Sequence, residues 1–142
     1  MNEINKMKNQ SDLESNKEEA EIEAEEKKIK LESLNKAGKI AQEVKKYIKP
    51  KIQVGTKVLN LIENTEKKIV ELGGGWAFPV NVSINNIAAH YTSPIKDDDL
   101  TIKEGDLVKI DLGVHIDGYI VDTAFTVSFN DDKSLENIIQ AT

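Results

Sequence analysis

Residues 108–129, VKIDLGVHIDGYIVDTAFTVSF, decide how the chain is read. Asp117-Gly118 is the strongest short hairpin signal in the chain, and it sits between two apolar-alternating runs. A two-residue loop at these positions pairs Ile116 with Tyr119, Val114 with Val121, Gly113 with Asp122 and Asp111 with Ala124. Side chains alternate faces along each strand. One face then carries Val108, Ile110, Leu112, Val114, Ile116, Tyr119, Val121, Phe125, Val127 and Phe129, a core surface. The other carries Lys109, Asp111, Gly113, His115, Ile120, Asp122, Ala124 and Thr126. Asp111 and Asp122 become diagonal cross-strand neighbours, roughly 7–8 Å apart at the backbone. The glycine opposite Asp122 is expected to leave room there. Two such carboxylates repel unless a proton, water or a cation lies between them. The parity admits two readings: a pair of metal-bridging aspartates, or a wet polar face on an ordinary hairpin.

Outward from the hairpin, residues 101–106 (TIKEGD) form the turn that feeds it. Upstream, Val80, Val82 and Ile84 alternate with polar residues and predict a short strand after Pro79, running through Asn85-Asn86 toward His90. Asp97, Asp98 and Asp99 read as a solvated loop. Leu34, Ala37, Ile40, Ala41, Val44 and Ile48 repeat at 3–4 spacing, an amphipathic helix that ends before Pro50. A second helix, capped by Thr56, carries the stripe Val58, Leu59, Ile62, Ile69 and Leu72 and stops at Gly73-Gly74-Gly75. Beyond the hairpin, Ser134 is expected to cap a third helix with Leu135, Ile138 and Ile139. Residues 1–33 hold ten acidic and six basic residues without glycine, proline or an aromatic. They read as a disordered or single-helix extension, and residues 34–142 as the folded unit.

The 142 residues are 39% hydrophobic but only 5% aromatic, so the core is aliphatic. A net charge of −6 argues against direct DNA binding. The absence of cysteine excludes disulfides, zinc–thiolate centres and thiol nucleophiles. No apolar run approaches the ~20 residues of a membrane span, and the N-terminus has no apolar signal core, so a cytoplasmic protein is expected. No P-loop, HExxH or Ser/His/Asp set is present. Many carboxylates with His90 favour oxygen-rich ligation of a divalent cation; His115 reads as structural.

AFPVNVSINNIAAHYT (77–92) followed by EGDLVKIDLGVHIDGYIVDTAFTV (104–127) resembles the amino-terminal half of the type 2 methionine aminopeptidases. AGKIAQEVKKYIKP (37–50) and ELGGGWAFP (71–79) agree with archaeal and eukaryotic members. The resemblance implies the first half of the α/β (α+β) pita-bread fold, truncated at Thr142: two helices, then antiparallel strands with the Asp-Gly hairpin. It implies two divalent cations (cobalt, manganese, iron(II) or zinc) held in the complete fold by two aspartates, a histidine and two glutamates. The aspartates fall on Asp111 and Asp122; the other three ligands belong to the second half. The AAHYT-like motif places a non-ligand catalytic and substrate-binding histidine at His90, and the AFP motif places a lining residue of the methionine pocket at Phe78. The implied reaction is removal of the initiator methionine from nascent polypeptides by metal-activated water in a full-length, monomeric parent that associates with the ribosome. This fragment alone is expected to be inactive. The alternative is the non-catalytic proliferation-associated branch of the fold, which binds ribosomes or RNA; X-Pro aminopeptidases and prolidases differ in the 77–92 segment.

Overall fold

The computed structural model describes residues 2–94, 99–131 and 133–140, so Asp97 and Asp98 lie outside the described residues. Helix α1 (Asn2–Ile48) is continuous, with no break at residue 33. Its early exposed stretch leaves Ile22 and Leu31 in solvent and carries ion pairs such as Lys28–Glu25 at 3.6 Å, worth little individually. Burial begins at Ser33 and continues through Ala37, Ala41, Val44 and Ile48, one stripe at helical spacing. A 3₁₀ turn at Lys49–Lys51, with Pro50 inside it, ends the helix.

Helix α2 (Val58–Glu71) starts differently from the sequence expectation. Lys57 occupies the N-cap position without a side-chain cap. Thr56 instead donates its hydroxyl to the Lys51 carbonyl at 3.2 Å. The local cap loses because the backbone here is already paired: Val58 N–H donates to Leu100 and Ile102 N–H to Thr56. The buried stripe is Val58, Leu61, Ile62, Thr65 and Ile69. Val58, Ile62 and Ile69 are as expected, but Leu59 is only half-buried and Leu72, the C-cap beyond Glu71, is 38% exposed, while Leu61 and Thr65 take their places in the core. Thr65 satisfies its buried hydroxyl on the Leu61 carbonyl at 2.6 Å.

The sheet is antiparallel. Strand β1 (Gly75–Trp76) pairs with β3 (Leu107–Ile116) at His115 and Val114, and β2 (Asn81–Ile84) pairs with β3 from Asp111 to Val108. Strand β4 (Tyr119–Ser128) pairs with β3 along its whole length. Since β4 occupies one edge of β3, β1 and β2 share the other, end to end. β1 falls in a run expected only to stop a helix; its two residues are too short a segment to show alternation.

Helix α1 packs on β3 and β4 and α2 on β1 and β2, on the side bearing Val108, Ile110, Leu112 and Val114, all within 1% of complete burial. Val80 and Val82 complete this aliphatic core. Helix α3 (Lys133–Gln140) packs against β4. Ser134 lies inside α3 rather than before it, so it is not the N-cap. Two helices against an antiparallel sheet whose long strands form the Asp-Gly hairpin are the α/β architecture expected.

Candidate metal centre

The hairpin has the two-residue loop, with every pairing as the Asp117-Gly118 signal requires. Asp117 has φ 52° and Gly118 φ 83°, the positive pair that a type I′ turn demands. Glycine adopts this conformation freely and aspartate tolerates it. The turn therefore sets which residues share a face. Asp111 pairs with Ala124 on one side and Asn81 on the other, while Gly113 pairs with Asp122.

The space at Gly113 is not left open. A Cβ there would lie 2.8 Å from Phe78 Cδ1 and 3.0 Å from the Ala77 Cβ. The gap between β1 and β2 explains this: Ala77 N–H donates to Gly113 at 2.9 Å, and the chain then turns Phe78 across the glycine. Glycine admits an aromatic wall beside the aspartates, where the sequence suggested room for something other than a side chain. Pro79 follows, and the next free donor, Val80 N–H, is accepted by Glu66 of α2 at 3.1 Å.

His90 arrives by a loop that is clipped at both ends. Asn85, at φ 55°, donates its amide to Asp106 at 2.9 Å, accepts from Leu107 N–H through its side-chain oxygen at 2.9 Å, and takes the Lys109 ammonium on its carbonyl at 2.7 Å. At the other end Val82 N–H donates to Tyr91 at 2.8 Å. Between the clips His90 itself is held at φ 66°, a conformation uncommon outside glycine that clusters at functional sites.

Phe78, Pro79, Asn81, His90, Thr92, Asp111 and Asp122 thus surround one cleft of about 410 Å³. All four residues singled out in the sequence line it. Sequence reasoning missed Asn81, Thr92 and the Asn85–Asp106 clip; a polar residue at an inward strand position was the available signal, but only the register says what it faces.

Burial pushes the Asp111 carboxyl above its ordinary value, and the neighbouring Asp122 carboxylate adds to the rise. The nearby Asn81 carboxamide and His90 pull the other way. Two neighbouring carboxylates of this kind are placed where a cation would offset their repulsion. The hard oxygen donors suit a divalent cation, so the pair fits one wall of a metal site. Among the described residues no group of three or more histidine, cysteine, aspartate or glutamate side chains could hold a metal, so the wall is not a complete site. His115 shares the aspartate face by parity, yet its ring lies against Gly75, where a Cβ would come 2.7 Å from Cε1. It packs under β1 rather than opening into the cleft.

Residues 32–142 match the model of metallopeptidase family M24. The chain is 51% identical over 118 residues to a methionine aminopeptidase of Thermococcus onnurineus, covering 77% of this chain and 40% of the relative. It therefore spans about two fifths of that relative's length. Among solved structures, a methionine aminopeptidase of Thermotoga maritima superposes with a TM-score of 0.69 at 21% identity, over 80% of this chain and 48% of that one. An X-Pro aminopeptidase of Thermotoga maritima gives 0.68 at 19%, over 78% and 31%. At those identities the superpositions establish the fold, which the two activities share.

Proposed function

The chain belongs to metallopeptidase family M24, and from that premise we propose that its full-length parent is a methionyl aminopeptidase releasing the initiator methionine from nascent polypeptides. The observation that carries the reading is the meeting of Asp111, Asp122 and His90 around one cleft, in a chain 51% identical to a protein named for that activity. The fold is shared with X-Pro aminopeptidases, so it is the sequence likeness that selects methionine.

Asp111 and Asp122 would hold the divalent cations, two in number and of cobalt, manganese, iron(II) or zinc, together with ligands from beyond residue 142. Such cations supply a water-derived nucleophile near neutral pH and polarise the scissile carbonyl. The chain's own residues do the rest on this wall. Phe78 presents an apolar surface to the methionine side chain, and its place over Gly113 fixes that surface beside the carboxylates. His90, oriented by its clipped loop, donates a hydrogen bond to the substrate amide or to the oxygen that gains charge as the bond breaks. The 142 residues alone carry two carboxylates toward a dimetal site and are inactive in this reading. In this reading the parent is a cytoplasmic enzyme that meets nascent chains near the ribosome.

The test is methionine release from Met-Ala and Met-Gly peptides by the full-length parent with each metal in turn. Release that depends on the metal and falls at least a thousandfold in Asp122→Ala supports the reading. A parent that binds ribosomes but releases no methionine with any metal overturns it in favour of the non-catalytic branch.

A further inference from the structure

Asn81 stands directly opposite Asp111 across the β2–β3 pair, on the same face of the sheet. Directly opposed residues have Cβ atoms about 4.5–5.5 Å apart, within reach of a carboxamide and a carboxylate. Asn81 is 9% exposed, lines the same cleft as Asp111, His90 and Asp122, and acts to lower the raised Asp111 pKa, as a nearby carboxamide donor does. The strand places it there rigidly: Val80, Val82 and Ile84 on either side are locked into the core, and Glu66 fixes the entry to the strand.

We infer that Asn81 is the positioning residue for Asp111, its carboxamide fixing one carboxylate oxygen so that the other faces the cleft and the metal. The inference rests on the metal-binding reading of the aspartate pair. A carboxylate free to rotate between Asn81, Asp122 and water must lose that freedom when a cation binds. A donor already in place removes much of the cost, and groups that orient metal ligands in this way commonly change metal affinity 10–100-fold. The geometry explains the residue type as well. Lysine would add a competing charge, aspartate would add a third repelling carboxylate, and an aliphatic side chain would leave Asp111 without its neutral donor.

The experiment uses the 142-residue chain labelled with ¹⁵N and titrated with Mn²⁺, reading paramagnetic broadening of the Gly113 and Ala124 amide signals. These two flank the aspartates in register, so weak binding along the acidic first helix does not enter the readout. In Asn81→Leu, branched at the same carbon but without a donor, the Mn²⁺ concentration for half-broadening should rise about tenfold. Asn81→Ser, which retains a short donor, should recover part of that loss. Melting curves of both variants within a few degrees of the parent chain separate positioning from folding. Unchanged Mn²⁺ affinity in a folded Asn81→Leu chain overturns the assignment. If Asn81→Leu does not fold, the Asn81 side-chain amide signals of the unsubstituted chain decide. Slowed solvent exchange and a shift on adding Mg²⁺ support it, while rapid exchange and no shift overturn it. Absence of any broadening in the unsubstituted chain at millimolar Mn²⁺ overturns this inference, whereas the metal reading of the pair is decided separately by metal-dependent methionine release from the full-length parent.

Discussion

Strands β3 and β4 carry the same alternation of apolar and polar residues, are ten residues long each, and pair along their whole length. Their fates differ. On the helix-covered face Val108, Ile110, Leu112 and Val114 of β3 are sealed, whereas Val121, Phe125 and Val127 of β4 are only half-buried. On the opposite face Asp111 of β3 is half-buried and Asp122 of β4 is exposed. The cause is the neighbour on the far side. β3 has β1 and β2 against its second edge, whereas β4, although α1 packs on it, has no strand on its second edge among the described residues. Alternation tells which way a side chain points; the number of flanking elements tells how far from water it ends up.

The largest expected effect follows from that contrast. Leu112→Ala should cost about 2–5 kcal/mol, since a fully buried leucine leaves a cavity as well as losing its transfer energy. Val127→Ala on β4 should cost about 1 kcal/mol or less, because its site is already part-solvated and can collapse. Urea unfolding of the two variants measures the difference, and equal costs would break the comparison. Gly113→Ala should cost about 1–3 kcal/mol by driving the new methyl into Phe78 and Ala77. Adding Phe78→Ala should relieve much of it, a non-additivity that a double-mutant cycle detects.

At the turn, Gly118→Ala should cost about 1–2 kcal/mol, because an L-residue is forced into a left-handed conformation with nothing crowding its Cβ. Backbone strain is then the whole effect.

The smallest effect concerns the half-buried aspartate. Its pKa is raised above 3.8, so in the metal-free chain the folded state binds the proton more tightly than the unfolded state. Stability should therefore fall as pH rises from about 3.8 through the raised value, and the ionised form should be destabilising at neutral pH. Asp111→Asn should raise the metal-free melting temperature at pH 7 and make no difference near pH 3. A divalent cation should reverse the order at pH 7, stabilising only the chain with both carboxylates.

The hairpin register was legible because it depends on local chemistry. Asp117-Gly118 fixes the turn type, the turn type fixes the loop length, and a period of two then sorts twenty residues between faces. Asp111, Asp122 and their common side follow without any knowledge of the rest of the chain. His90 was already the eligible histidine; the motif likeness gave it a role beside the pair and added Phe78, which no local rule could have joined to it. The Thr56 cap and the Leu59–Leu72 stripe misled because a helix's local preferences yield to what packs against it: the Leu100–Ile102 segment took the backbone donors, and the core selected Leu61 and Thr65.

By itself, then, the sequence determined the antiparallel hairpin, the face of each of its side chains, the acidic first segment and the aliphatic character of the core. Those properties arise from neighbours in the chain. Only the tertiary structure decided that Phe78 fills the space over Gly113, that Asn81 faces Asp111, and that Asn85 and Asp106 clip the loop bearing His90. Each of these brings together residues 20 or more positions apart. Closing such distances depends on the whole core forming at once, so no single stretch of sequence can state it.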